Sequence, residues 1–188
     1  MTERNPITIQ EIKRASVEDV DIVWRIIDFN SQWLLKNGHS HWADFYTRDR
    51  VWKKIKSADV RIAFVNDLSV ATITMDTKRV SYYTHQDMEK FAEPDAEAIY
   101  ISALAVLPDY HGRGIASQLM DMAETEAGAG RIKYARLDCK ALYPELVNFY
   151  RKRDYVVMGA FTDSKDNYEP YFLMEKQLIT SLGANTSQ

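Results

Sequence analysis

From Ala98 to Leu107 the chain reads AIYISALAVL, an almost unbroken apolar run, followed by Pro108 and then by the turn HGRGIAS, His111 to Ser117, which leads into a stretch with helical spacing. An apolar run of that length is expected for a central strand buried on both faces. Two glycines one residue apart let the backbone approach closely and turn with positive φ before a helix begins. The first N–H groups of that helix have no partner inside it and face whatever lies at its mouth. A mouth of this kind favours anions.

Around this unit the periodicities alternate. ITIQEIKRAS, Ile7 to Ser16, reads as a first strand. Ser16, with Asp19 three residues on, starts a helix in which Val20, Val23, Ile27 and Leu34 recur up to Asn37-Gly38. GHSHWADFY is a loop, and Asp49 to Ala58 a second helix. In DVRIAFVNDLSVATITMDT two β-rich runs flank Asn66-Asp67, a pair that tolerates positive φ, which predicts a hairpin. Lys78 to Glu97 is a polar connector. Beyond the glycine turn, Ile115, Leu119 and Met122 line a helix ending near Gly128 and Gly130, YARLDC is a strand, and a further helix starts at about Pro144. YVVMGAF and YFLMEKQLI read as two last strands. The order β-α-α-β-β-β-α-β-α-β-β predicts an α/β protein of the α+β kind, a mixed central sheet flanked by helices. With 188 residues, 46% of them apolar, one core is expected, over residues 1–180, with a polar tail over 181–188.

Charge narrows the partners. The net charge is −3 and the 24 Lys and Arg residues form neither block nor stripe, so nucleic acid is not an expected partner. No apolar run approaches the roughly 20 residues of a membrane span, and MTERNPITIQ has no signal-peptide core, so a cytoplasmic protein is expected. Cys139 is the one cysteine, which rules out an intrachain disulfide. It alternates with Asp138 along the same strand, so the two are expected on opposite faces and the thiol buried and inert. His39 and His41 lack the further ligands a metal site needs, and no metal is expected.

HGRGIAS admits three readings, all anion cradles built from backbone N–H groups. A P-loop needs Lys-Ser/Thr after its last glycine, where this chain has Ile115-Ala116. A dinucleotide fingerprint needs a third glycine, where Ser117 stands, and an acidic residue about twenty positions on, and Asp138 lies too far along. The third reading joins the strand end Leu104-Ala105-Val106-Leu107-Pro108 to His111-Gly112-Arg113-Gly114-Ile115-Ala116, with ARLDCKALYPELVNFYRKRDYVVMG downstream. This combination, over about residues 59 to 178, resembles the GCN5-related N-acetyltransferase (GNAT) family, and LDC with GHSHW is similar to bacterial members of unassigned acceptor. His111 stands where the family has Gln or Arg, Tyr143 where an Asn touches the pantetheine arm, and Asp154 where a glycine ends the helix.

The resemblance implies an acyl-CoA N-acyltransferase fold and acetyl-CoA as cofactor. It places cofactor contacts on Leu104, Ala105 and Val106, on His111, Gly112, Arg113, Gly114, Ile115, Ala116 and Ser117, and on Tyr143 and Tyr150. The reaction it implies is acetyl transfer to a primary amine of a small molecule or peptide. Only the neutral amine attacks, so a proton must leave a group whose pKa is about 10.4 if lysine-like. Tyr150 is the candidate acid for the departing thiolate, the alternative being a core tyrosine. Asp138 and Glu97 are the candidate bases, with a water chain as the other route. Trp42, Tyr82, Tyr83 and Tyr100 suit an acceptor pocket for an amine or its cation, and equally suit plain packing. A homodimer is a further expectation. A CoA-binding sensor or partner module without chemistry is the competing function.

Overall fold

The structure is a computed structural model, described over residues 5–40, 42–43, 45–163 and 169–178. The polar tail and His41 lie outside the described residues. Its elements are β1 (Glu11–Arg14), α1 (Val20–Lys36), α2 (Arg48–Ser57), β2 (Asp59–Val65), β3 (Leu68–Asp76), α3 (His85–Met88), β4 (Ala98–Val106), α4 (Ile115–Ala129), β5 (Tyr134–Lys140), α5 (Pro144–Arg151), β6 (Val156–Thr162) and β7 (Pro170–Gln177). One seven-stranded sheet runs β1-β2-β3-β4-β5-β7-β6. β4 and β5 pair parallel, joined over the sheet by α4, and every other pair is antiparallel.

The element order matches the sequence reading, and the exceptions have local causes. The β2–β3 hairpin turns through Asn66 and Asp67 at φ 48° and 61°, the left-handed pair that fits strand twist. Ser16 N–H donates to the Asp19 carboxylate at 2.9 Å, but this box caps a 3₁₀ turn, Val17–Asp19, ahead of α1. β1 begins at Glu11 rather than Ile7, because Ile7 N–H donates to Arg113 O (3.0 Å) and Ile9 N–H to Gln118 Oε1 (2.9 Å). The first segment thus leaves the sheet to cross the glycine turn. The polar connector contains α3, started by Thr84, whose hydroxyl and N–H both donate to Asp87. Arg136, 0% exposed, fastens that connector to the sheet through Glu175 (2.7 Å), Glu93 O and Pro94 O.

Two layers of helix cover the sheet. Val23, Ile26, Ile27, Val51 and Ile55 of α1 and α2 pack with Ile62, Ala103 and Ala105 on one face. On the other, Ile115, Leu119, Met120 and Ala123 of α4 and Val147 and Tyr150 of α5 pack with Ile99, Ile101, Val106, Leu137 and Cys139. Met122, read from the sequence as part of the inward stripe, is half-buried, and Met120 and Ala123 fill the core instead. Ile115 is 1% exposed and Leu119 0%, each contributing about 1.5–3 kcal/mol of burial. These anchors fix the start of α4 immediately behind the glycine turn.

Candidate active site

The sheet is split where β4 and β5 part. Their pairing covers Ala98, Ile99 and Tyr100 against Tyr134, Ala135 and Arg136 and then stops, although β4 continues to Val106 and β5 to Lys140. A bulge in β4 opens the gap. Thr72 pairs with Ala105 and Thr74 with Ser102, so Ala103 and Leu104 together oppose Ile73. Ala103 takes φ 49°, a conformation that costs a non-glycine residue about 1–2 kcal/mol. Leu107 N–H donates to Val70 O on β3 (2.8 Å), and strand alternation turns the Val106 and Leu104 N–H groups to the open edge.

The glycine turn closes the far end of this notch. Gly112 and Gly114 have φ 72° and 78°, and a Cβ built on either would meet no atom of the described residues within 4 Å beyond its chain neighbours. Gly114 is the N-cap of α4, no side chain caps it, and the first intrahelical bond runs from Gln118 N–H to Gly114 O. The N–H groups of Ile115, Ala116 and Ser117 therefore precede the helical ladder. Arg113 Nε is buried with no hydrogen-bond partner among the described residues. A bare cradle of amides beside an orphaned guanidinium nitrogen suits an anion such as a diphosphate. His111 Nε2 lies 2.7 Å from Val106 O and 3.3 Å from Asn30 Oδ1, so that nitrogen carries the proton, and its ring meets Trp33 edge-on at 4.8 Å. His111 thus straps the turn to β4 and α1.

Two polar side chains converge on the notch from opposite faces. Tyr150, on α5 behind Pro144 at the helix start, is 6% exposed, and its hydroxyl has no hydrogen-bond partner among the described residues. Burial raises its pKa, and Cys139, Asp138 and Tyr46 raise it further. Asp138, half-buried on β5, accepts hydrogen bonds from Tyr83 (2.6 Å) and Tyr82 (2.8 Å), both on Oδ1. Its Oδ2 has no donor among the described residues. Burial raises the pKa of Asp138, with the two tyrosine hydroxyls pulling part of the way back. Tyr82 and Tyr83 are raised in turn by burial and then by the Asp138 charge. Cys139 points to the α4–α5 face, its Sγ 3.6 Å from Met174 Sδ, and burial pushes its thiol up to about 12.

Other candidates are placed elsewhere. Glu97 is exposed at the opposite end of β4 and lines a separate cleft with Thr77, Arg79 and His85, so the structure does not bring it to Tyr150 and Asp138. Tyr100 lies behind Tyr83 (ring centres 6.3 Å apart), its hydroxyl taking a hydrogen bond from Arg136 at 3.3 Å. Trp42 packs against Tyr46 (4.8 Å), and Tyr143 packs against His39 (3.8 Å), which closes the α1–α2 loop onto the start of α5. Ile115 can meet a ligand only through its backbone, since its side chain is core. Asp154 takes φ 67°, the left-handed conformation that favours glycine at a helix end, and Tyr155 N–H closes that end on Tyr150 O (3.1 Å).

Sequence reasoning missed Tyr46. Its hydroxyl sits against the Ala103 main chain at the bulge, and its pKa is raised by burial and by Asp138 and eased by the Ala103 contact. Tyr46 packs on the α1–α2 side of the sheet and adds to the raised pKa of Tyr150. The GHSHWADFY loop carries the residue, but only the fold brings that loop to the mouth of the split.

A parallel pair that splays at a bulge, with a glycine turn at its mouth, defines an acyl-CoA acyltransferase fold. Residues 66–157 match the family model described as an acetyltransferase (GNAT) domain, and the chain is an acyltransferase. It is 26% identical over 167 residues, 87% of this chain and 88% of the relative, to the uncharacterized N-acetyltransferase YesJ of Bacillus subtilis (strain 168). In fold it is similar to a GNAT-family acetyltransferase from Listeria monocytogenes (TM-score 0.71, 17% identity, 92% of this chain and 99% of that one). The PaiA N-acetyltransferase of Thermoplasma acidophilum, solved in complex with coenzyme A, is also similar (TM-score 0.66, 17% identity, 91% and 99% covered). Among the described residues, no helix is long and apolar enough to cross a membrane.

Proposed function

We propose that this chain transfers the acetyl group of acetyl-CoA to a primary amine, with Tyr150 as proton donor to the leaving sulfur and Asp138 as proton acceptor from the amine. The observation that carries this is a pair of oxygens with no hydrogen bond among the described residues, Tyr150 Oη and Asp138 Oδ2, on opposite sides of one split in the sheet. When bound, acetyl-CoA supplies a thioester whose carbonyl carbon takes the amine and whose sulfur departs as a thiolate. The amides of Gly112 to Ser117, with Arg113 beside them, hold the diphosphate. Main-chain N–H groups on the open edge of β4 polarise the carbonyl oxygen without any side chain. Asp138 Oδ2 takes the proton of the incoming ammonium, and its raised pKa brings it nearer that task than a solvated carboxylate. Tyr150, kept a phenol by its buried surroundings, gives its proton where charge gathers on sulfur, and the second proton leaving the acylated nitrogen restores the phenol.

The strap at His111 makes one prediction. His111→Ala is expected to lower stability by about 1–2 kcal/mol by leaving the Val106 carbonyl unbonded, and to weaken acetyl-CoA binding through a looser turn. His111→Gln, whose amide N–H reaches the same carbonyl, is expected to hold both. A Gln variant as weak as the Ala variant in calorimetric titration would mean that the imidazole itself touches the ligand.

Asp138 makes a second. Its folded-state pKa is raised above the ordinary value of about 3.9, so the folded chain binds that proton more tightly than the unfolded chain does. The stability it contributes is full below the unfolded value and is lost as pH rises through the folded one. Asp138→Asn keeps an oxygen for Tyr82 and Tyr83 and removes that loss. The variant is expected to be at least as stable as the parent at about pH 8, with a smaller advantage at about pH 4, while kcat falls about a hundredfold. Thermal unfolding and thiol release measured side by side decide it: lower stability with full kcat would make Asp138 a structural residue.

A further inference from the structure

Asp138 is set into a wall of rings. Tyr82 touches Tyr83 (centres 5.2 Å apart), Phe161 (6.0 Å) and Phe45 (6.3 Å), Phe45 meets Tyr46 (4.9 Å), and Phe161 stacks on Tyr171 (5.2 Å, 15° between planes). The wall is not sealed. Phe45 is 40% and Tyr82 38% exposed. The Tyr82 and Tyr83 hydroxyls both turn inward to Oδ1, so the wall presents ring faces and edges to a ligand, and its open polar atom is Asp138 Oδ2. Cations stand at both ends. The Arg50 guanidinium lies 4.7 Å from the centre of Phe45, and the Lys140 ammonium 4.9 Å from that of Tyr171 while ion-paired to Glu169.

We infer that the acceptor is a monocationic primary amine with a flat apolar body, its ammonium on Asp138 Oδ2 and its body along Phe45, Tyr82 and Phe161. The identity of the reacting nitrogen rests on the acetyl-transfer reading above; the binding site itself does not. One carboxylate oxygen left open amid rings matches one positive charge, which gains from ring faces as well as from the carboxylate. A second ammonium farther along the ligand, toward Phe45, would meet the Arg50 guanidinium, and among the described residues of that end it finds no carboxylate oxygen placed as Asp138 Oδ2 is. A hydrophilic polycation therefore loses twice: it leaves the rings uncovered and brings like charges together. A neutral ligand of the same shape covers the rings but leaves Oδ2 without its donor.

Titration of the full chain with three probes, 2-phenylethylamine, 1,4-diaminobutane and 2-phenylethanol, with and without coenzyme A, tests this by calorimetry. 2-Phenylethylamine is expected to bind about tenfold or more tightly than either of the others. Asp138→Asn is expected to bring the amine down to the affinity of the alcohol, and Tyr82→Ala, at an exposed position, to weaken 2-phenylethylamine about fivefold while affecting the diamine less. Equal or tighter binding of the diamine, equal binding of alcohol and amine, or no saturable binding of any probe to a cooperatively folding sample would overturn the assignment. Thiol release from acetyl-CoA is read separately on the same amines. No release with the ranking intact supports the site and removes the transfer reading; release with the ranking inverted removes the site and keeps the transfer reading.

Discussion

Tyr150→Phe is expected to lower kcat by about a hundredfold or more while leaving the affinity for acetyl-CoA and the thermal midpoint almost unchanged. The substitution is conservative in packing, because the ring contacts with Phe149 (5.1 Å) and Tyr155 (5.8 Å) survive in phenylalanine. What it deletes is a hydroxyl with no hydrogen bond to any described residue, so the stability change is expected to stay within about 0.5 kcal/mol. The rate loss follows from what the hydroxyl faces. A departing thiolate with a pKa near about 8.5 leaves more readily when a proton or a strong donor meets it, and burial keeps Tyr150 in the protonated form that can supply one. Steady-state thiol release, with acetyl-CoA affinity from calorimetry, separates the two effects. Full kcat in the variant would pass the acid role to solvent or to Tyr46.

The second large effect is at the turn. Gly114→Val is expected to weaken acetyl-CoA binding about a hundredfold or more, equivalent to about 2.8 kcal/mol, and to lower the thermal midpoint by only a few degrees. Gly114 has φ 78°, where a β-branched residue is strained by about 1–2 kcal/mol. Its Cβ direction leads into space that no described residue occupies within 4 Å, so the added methyl groups do not break the core. They occupy the approach to the α4 amides. The small stability cost and the large binding loss should therefore separate in a comparison of unfolding and titration. Retained affinity would place the diphosphate away from this turn.

Much of this arrangement was legible because it is written in local chemistry. Gly112 and Gly114 mark the turn by their conformational freedom, the Ala98–Leu107 run marks a strand buried on both sides, and Asn66-Asp67 marks a hairpin. Strand alternation was enough to put Asp138 and Cys139 on opposite faces. Other features depend on where strands part company, which no window of residues encodes. Glu97 immediately precedes the strand that carries Leu104, yet the split opens only beyond Tyr100, so the glutamate ends on the wrong side of the paired segment. The bulge at Ala103 carries no glycine or proline to announce it; an alanine is forced to φ 49° by pairing on the β3 side. Tyr46 reaches the site through a loop whose course is set by His39 against Tyr143 and by Trp33 against His111, contacts between segments more than seventy residues apart. Ile7 and Ile9 alternate as a strand should, but backbone and side-chain partners on the glycine turn and α4 claim them first.

The central claim is that main-chain amides at the start of α4 hold the diphosphate and thereby set the thioester beside Tyr150. A crystal structure of the chain with acetyl-CoA measures this directly. Diphosphate oxygens are expected at about 2.7–3.2 Å from amide nitrogens between Gly112 and Ser117, with the pantetheine arm in the gap between β4 and β5 and its sulfur within hydrogen-bond reach of the Tyr150 hydroxyl. Phosphates bound anywhere else, or a sulfur lying away from that phenol, would contradict it.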